Sequence, residues 1–96
     1  MIKTVIIEDE QKSRDMLAAI IEKNCPDLTI VGLAQNVKEG VELIEREKPE
    51  LVFLDVSMPD GSGFDLLEKV FGHKFDLIFA TASDQYAIRA FRYSAC

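Results

Sequence analysis

The sequence is poor in cysteine and in basic residues, and it lacks a long apolar run. Cys25 and Cys96 are its two cysteines, and neither belongs to a Cys-x-x-Cys pair or a Cys/His cluster, which argues against a zinc site and favours a reduced, cytoplasmic protein. No apolar run approaches the roughly 18–20 residues that a membrane helix needs, so no membrane contact is expected. Met1 leads straight into a strand-like run without a signal segment.

Eleven basic residues face 17 acidic ones, and the formal net charge is −6. This balance argues against the chain itself binding nucleic acid through the phosphates, which requires a basic surface. Hydrophobic residues make up 48% of the 96 residues and charged residues 29%, a composition typical of a globular protein rather than a disordered one. The length accommodates one domain, spanning residues 1–96.

Two kinds of segment alternate along the chain. Short, nearly all-apolar runs predict strands buried on both faces, at residues 4–7, 28–31, 51–54 and 77–80. Amphipathic segments predict helices at residues 12–24, 37–47, 64–70 and 85–93. Asn36 with Glu39 is a plausible capping pair for the second helix, and Asp84 is a candidate cap for the fourth. This order predicts an α/β fold with a parallel sheet covered by helices on both faces.

The informative polar residues stand where strands end. The first strand runs into Glu8 and Asp9, the third into Asp55, and the fourth into Thr81. Ligands of open parallel sheets bind outside the carboxyl ends of the strands, so Glu8, Asp9 and Asp55 converge if strands one and three are neighbours. Crowded carboxylates repel one another, and a hard cation such as Mg²⁺ relieves that repulsion. One carboxylate can then attack phosphorus, with the Thr81 hydroxyl hydrogen-bonding a phosphoryl oxygen.

Three motifs in order make a specific resemblance. They are Val-Ile-Ile-Glu-Asp-Glu at residues 5–10, Leu-Val-Phe-Leu-Asp-Val-Ser-Met-Pro-Asp-Gly-Ser-Gly at 51–63, and Ile-Phe-Ala-Thr-Ala at 78–82. Together they resemble the receiver domain of two-component response regulators. The ending from Asp84 to Phe91 is most similar to receivers of LytTR-type transcriptional regulators.

The resemblance implies a flavodoxin-like, doubly wound parallel sheet with strand order 2-1-3-4. It implies that Asp55 accepts a phosphoryl group from a sensor histidine kinase in a Mg²⁺-dependent reaction, with Mn²⁺ as a possible substitute. By the same resemblance Asp9 binds the metal directly, Glu8 holds it through water, the backbone carbonyl of Ser57 is a further ligand, and Thr81 is the switch hydroxyl. The domain is then a phosphoacceptor rather than an enzyme, and it signals to a DNA-binding output domain absent from this chain.

Receivers continue with a fifth strand, a lysine that pairs with the phosphoryl group, and a fifth helix. Here the chain stops at Cys96, so roughly 25 residues are expected to be missing. None of Lys48, Lys69 and Lys74 is at an equivalent position. Without a fifth strand the edge of residues 76–80 is expected to lie open, and without a fifth helix apolar surface beside the first helix is expected to be uncovered. Both expectations predict a dimer or an element-exchanged oligomer that covers this edge and the neighbouring helices.

Two other functions remain in view. A phosphatase of the haloacid-dehalogenase type also uses a strand-end aspartate with Mg²⁺, but it needs a second aspartate two residues later, where this chain has Ser57. A phosphate-independent interaction module is the second alternative. The retained Asp55 opposes it, whereas the missing lysine favours it.

Overall fold

Strands and helices alternate along most of the chain. The computed structural model describes the backbone of residues 1–81 and 89–95 and the side chains of residues 1–79. The major strands are β1 (Ile2–Ile7), β2 (Leu28–Ala34), β3 (Leu51–Leu54), β6 (Phe75–Thr81) and β7 (Arg89–Ala95). The helices are α1 (Gln11–Asn24), α2 (Val37–Glu47) and α3 (Gly63–Lys69). Two short strands, β4 (Ser57–Met58) and β5 (Gly61–Ser62), form a small hairpin between β3 and α3.

Five strands form one sheet in the order β2-β1-β3-β6-β7. The first four are parallel, which confirms the predicted α/β class and the order 2-1-3-4 of the first four predicted strands. Ile7 at the end of β1 lies beside Leu54 at the end of β3, and Leu54 in turn lies beside Phe79 of β6. The carboxyl ends of the three central strands therefore meet at one edge of the sheet.

The prediction of a fourth helix at residues 85–93 is wrong for residues 89–93, the part of this segment that the structure describes. Residues 89–93 belong to β7, which pairs antiparallel with β6 from Phe75↔Ala95 to Thr81↔Arg89. Asp84 and residues 85–88 lie outside the described residues. An open strand edge presents unpaired backbone N–H and C=O groups, and pairing with them outweighs a local helical preference.

The predicted open edge at residues 76–80 is therefore wrong as well, because the chain's own β7 covers it. That edge was the main reason to expect a dimer or an element-exchanged oligomer. Association itself stays a prediction that rests only on uncovered apolar surface.

The two faces of the sheet are covered to different extents. On one face, α2 and α3 pack against inward residues of β1, β3 and β6, and Ile44, Leu54, Leu66 and Leu77 are fully buried there. The alternate residues of the strands face the side of α1. There Phe53 and Ile78 are only half-buried. Met16 and Ile20 of α1 are 57% and 44% exposed, so less apolar surface is covered on this side.

Local features of the sequence set both ends of α2 and its distance from the sheet. The Asn36 side chain accepts a hydrogen bond from the Glu39 amide at 2.8 Å, which confirms the predicted cap. Lys48 ends the helix in the left-handed conformation with φ of 48°, directly before Pro49. Gly40 faces the sheet, where an added Cβ would lie 2.6 Å from Leu66 Cδ1 and 3.0 Å from Ile7 Cδ1. The missing side chain thus lets α2 approach β1 and α3 closely.

Within the described part of the chain, none of the helices has the length and apolar character required to cross a membrane.

Replacing Leu66 by alanine tests the importance of the α2–α3 face. Leu66 is fully buried, so Leu66→Ala should lower the free energy of unfolding by about 2–5 kcal/mol through lost burial and a residual cavity. Phe71, which is 88% exposed, is the control, and Phe71→Ala should change stability by less than about 0.5 kcal/mol. Urea unfolding followed by circular dichroism measures both, and equal losses would contradict this core.

Candidate functional site

Three carboxylates meet where β1 and β3 end. Glu8, Asp9 and Asp55 each offer an oxygen, and these atoms lie within 4.8 Å of one another. Glu8 and Asp55 are 5% and 7% exposed, whereas Asp9 faces solvent. The convergence expected from the sequence is therefore present, and we refer to these three residues as the acidic cluster.

The backbone continues the sheet pairing beyond the strand ends and thereby places the cluster. The amide of Asp55 donates to the carbonyl of Ile7 at 2.9 Å, and the amide of Glu8 donates to the carbonyl of Ala34 at 3.0 Å. Both acidic residues are thus held by neighbouring strands. Because the hydrogen bonds of the parallel sheet extend to these residues, their position depends on the packed core rather than on a mobile loop.

Hydrogen bonds from the start of α1 hold the segment that carries Glu8. The Glu10 amide donates to Glu8 Oε2 at 3.0 Å, and Arg14 Nη1 donates to the backbone carbonyl of Glu8 at 2.8 Å. The sequence does not single out Arg14, because a basic residue five positions after Asp9 is not by itself a specific signal.

The loop after Asp55, residues 55–62, is held close to the cluster. The Ser57 amide lies 3.5 Å from Asp55 Oδ1, a long hydrogen bond. The Gly63 amide donates to the Val56 carbonyl at 2.8 Å. A Cβ on Gly63 would lie only 2.6 Å from the Asp55 carbonyl oxygen, so a glycine is required for α3 to start this close to Asp55. The motif Gly-Ser-Gly was present in the sequence, but this contact depends on the tertiary packing.

Residue 60 connects the same loop to a different helix. The Val37 amide donates to Asp60 Oδ1 at 2.7 Å, and the Lys38 amide donates to Asp60 Oδ2 at 3.1 Å. Asp60 therefore caps α2 from a loop that lies 23 residues further along the chain than Val37. No local pattern in the sequence indicates such a contact.

The electrostatics of the cluster follow from burial and crowding. Burial raises the pKa of Glu8 from 4.5 to about 8, and the side chains of Asp55 and Asp9 raise it too, against the hydrogen bond from the Glu10 amide. Burial likewise raises the pKa of Asp55. For Asp9, desolvation is outweighed by hydrogen bonds with Asp55 and Glu8, which lower its pKa. Without a cation the cluster therefore retains a proton near neutral pH, on Glu8.

The remaining residues of interest lie in different places. Thr81 is the last residue of β6, and its side chain is outside the described part. Lys48 and Lys74 line a cavity of about 340 Å³ together with Phe75, the first residue of β6, and thus lie at the opposite end of the sheet. Lys69 lines another cavity, beside Asp60.

Comparison with known proteins identifies the family. A family model described as the response regulator receiver domain matches residues 4–96. The chain belongs to the response regulator receiver family. Receiver domains are signalling domains rather than classical enzymes, and the resemblance inferred from the three motifs is confirmed.

Relatives of this receiver domain include LytT and BtsR regulators. It is 42% identical over 93 residues to the sensory transduction protein LytT of Enterococcus faecalis, covering 95% of this chain and 38% of that protein. It is 35% identical over 96 residues to the transcriptional regulatory protein BtsR of Escherichia coli K12, covering 99% of this chain and 40% of that one. The receiver domain thus spans about 40% of the length of these relatives.

A solved structure has the same fold. The response regulator domain of Thermotoga maritima CheB superimposes with a TM-score of 0.78 at 25% identity, over 92% of this receiver domain and 66% of that chain. The flavodoxin-like architecture expected from the resemblance is thereby confirmed.

The raised pKa of Glu8 predicts a pH dependence of stability in the metal-free receiver domain. Folded Glu8 binds its proton more tightly than the unfolded chain does, so the folded state holds more protons between about pH 4.5 and about pH 8. The free energy of unfolding should therefore fall as the pH rises through this window, with this one proton contributing at most about 1.4 kcal/mol per pH unit. Urea unfolding in a chelator at several pH values measures the slope.

Glu8→Gln should flatten this slope and leave the metal-free domain more stable than the wild type near the upper end of the window. Glu22, exposed on α1, provides the control, because Glu22→Gln should leave the slope unchanged. A wild-type slope that Glu8→Gln does not reduce would contradict the assignment of the retained proton to Glu8.

Proposed function

We propose that this receiver domain accepts a phosphoryl group on Asp55 from the phosphohistidine of a sensor histidine kinase. The observation that carries the proposal is the meeting of Glu8, Asp9 and Asp55 at the ends of adjacent strands, with carboxylate oxygens within 4.8 Å. A buried aspartate beside two further acidic groups is poorly explained as a structural element, because crowding like charges costs stability. Membership of the receiver family supports the same conclusion.

The donor set fits a hard divalent cation. Carboxylate oxygens are the ligands that Mg²⁺ prefers, and it typically uses one or two of them with water completing its shell. In the proposed site Asp9 and Asp55 would bind Mg²⁺ directly, Glu8 would hold it through water, and the Ser57 backbone carbonyl would be a further ligand, with Mn²⁺ as a substitute. The bound cation would neutralise negative charge on the phosphoryl oxygens.

The residues of the chain then position the reacting groups. A carboxylate oxygen of Asp55 attacks phosphorus, a P–O bond forms, and the P–N bond to the kinase histidine breaks, leaving the electron pair on the histidine nitrogen. The hydrogen bond from the Asp55 amide to the Ile7 carbonyl keeps the nucleophile at the carboxyl ends of the central strands. Thr81 ends β6, two residues after Phe79, which lies beside Leu54. We propose that the Thr81 hydroxyl hydrogen-bonds a phosphoryl oxygen and acts as the switch that responds to phosphorylation of Asp55.

The whole protein is proposed to be a transcriptional regulator of the LytTR type. The matched relatives are more than twice as long as this chain, and one of them is named a transcriptional regulatory protein. In this proposal residues 1–96 are the receiver part and DNA is bound only by a separate output domain. A cytoplasmic location belongs to the same proposal, because the cytosol keeps thiols such as Cys25 free.

Metal titration tests the proposed ligands. We expect the wild type to bind Mg²⁺ or Mn²⁺ with a Kd in the millimolar range, since few protein ligands contribute. Asp9→Ala should weaken binding more than Glu8→Ala, because Asp9 binds directly in the proposal. Mn²⁺ relaxation enhancement measures the affinities. Asp76→Ala, at the start of β6 and far from the cluster, provides a control with one negative charge fewer.

Equal binding by the wild type and by both cluster variants would contradict the proposed ligand set.

Phosphorylation tests Asp55 itself. Asp55→Asn keeps the shape of the side chain but removes the anionic nucleophile, so labelling by acetyl phosphate in the presence of Mg²⁺ should be abolished. Asp60→Asn, in the same loop, should still be labelled. Intact mass spectrometry detects the added phosphoryl group.

Replacing Thr81 tests the switch. Thr81→Ala should leave metal binding nearly intact and instead uncouple phosphorylation from the response of a partner.

Labelling that survives Asp55→Asn would contradict the assignment of the phosphoacceptor. A wild type that binds the cation but is never labelled would favour the phosphate-independent interaction module. Turnover of a generic phosphomonoester would instead favour a phosphatase.

A further inference from the structure

The contact between Asp60 and α2 joins two parts of the fold that are distant in sequence. Each oxygen of the carboxylate accepts one backbone hydrogen bond, from Val37 at 2.7 Å and from Lys38 at 3.1 Å. The Val37 amide lowers the pKa of Asp60 most, and the Lys38 amide acts in the same direction. These are charge-assisted hydrogen bonds at the positive end of a helix, where a carboxylate is favoured.

All four amides at the start of α2 are thereby satisfied. Asn36 takes two of them, through its side chain from Glu39 at 2.8 Å and through its carbonyl from Gly40 at 2.9 Å. Asp60 takes the other two. A helix start needs these partners, and Asn36 supplies the local ones, whereas Asp60 reaches the amides of Val37 and Lys38 from another segment of the chain. The same two hydrogen bonds therefore also fix the loop that carries Asp60.

The helix is a firm anchor for that loop. Val37 at its start is 3% exposed and Ile44 is fully buried, so α2 is fixed against the sheet. The loop of residues 55–62 begins at the phosphoacceptor proposed above and includes Ser57. Its far end is fixed by a capping box in which Ser62 and Asp65 exchange hydrogen bonds of 2.9 and 3.1 Å. Asp60 fixes the stretch between these two ends.

We propose that Asp60 is a positioning residue for the metal site, which holds the loop of Asp55 and Ser57 against the start of α2. The inference rests on the proposed function and deepens it. A cation is bound more tightly when its ligands are already held in place, because less conformational freedom is lost on binding. By thermodynamic reciprocity, the bound cation also strengthens the contact of Asp60 with α2. The start of α2 thus senses the occupancy of the acidic cluster.

The test compares variants of the chain in a Mn²⁺ titration. Asp60→Ala should weaken Mn²⁺ binding about three- to tenfold, the range expected from the loss of two helix-capping hydrogen bonds. Asp60→Asn retains one acceptor oxygen and should lose less, and it also provides a measurement should the alanine variant fold poorly. Asn36→Ala removes the local cap of the same helix without touching the loop, so it should lower stability but leave Mn²⁺ affinity unchanged.

Charge is controlled separately. Glu42 lines the cavity of about 330 Å³ that also contains Asp60, so Glu42→Gln removes a nearby negative charge but no contact with the loop. Its Mn²⁺ affinity should remain within twofold of the wild type. Hydrogen exchange provides the reciprocal measurement, in which diamagnetic Mg²⁺ should slow exchange of the Val37 and Lys38 amides in the wild type and not in Asp60→Ala.

The outcomes separate this inference from the proposed function. Wild-type and Asp60→Ala proteins that bind Mn²⁺ equally, with Asp9→Ala impaired, would overturn the role of Asp60 and leave the proposed site intact. Equal losses in Asp60→Ala and Glu42→Gln would assign the effect to charge and overturn the positioning role. A wild type that binds no cation would overturn both.

Discussion

The parallel pairing of β1 with β3 is the constraint on which the rest of this protein depends. Ile7 lies beside Leu54, and the next residue on each strand is acidic. The pairing therefore forces Glu8 and Asp55 together in a largely buried position, whatever their mutual repulsion. The apolar strands behind them keep this arrangement, because burial of their side chains outweighs the cost of crowding two carboxyl groups. A site that is unfavourable locally is thus maintained by the core.

The support for this site is concentrated on one face of the sheet. There α2 and α3 pack tightly, Gly40 allows a close approach, and the loop after Asp55 is held by contacts with both helices. The face of α1 is covered less completely, and Phe53 and Ile78 remain half-buried. The tightly packed face therefore positions the acidic cluster, whereas the looser face opposite it buries less apolar surface.

Much of the fold was predictable because its signals are local or periodic. Four apolar runs correspond to β1, β2, β3 and β6, and three amphipathic segments correspond to the three helices found among the described residues. The cap at Asn36 was also predictable, since it depends on a residue three positions away. The segment of residues 89–93 was predicted as a helix and lies in a strand, because the free edge of β6 decided its conformation. A neighbouring strand edge leaves no trace in a local sequence pattern.

The sequence by itself determined the order of the major elements as far as β6, the residue types at the strand ends, and the family, because apolar periodicity and the three motifs can be read without coordinates. Only the tertiary structure decided which groups share an environment. It placed Glu8 where burial raises its pKa to about 8 while Asp9, the next residue, remains exposed with a lowered pKa. It also brought Asp60 to the amides of Val37 and Lys38. Desolvation and long-range hydrogen bonds depend on distances in space, which sequence spacing does not specify.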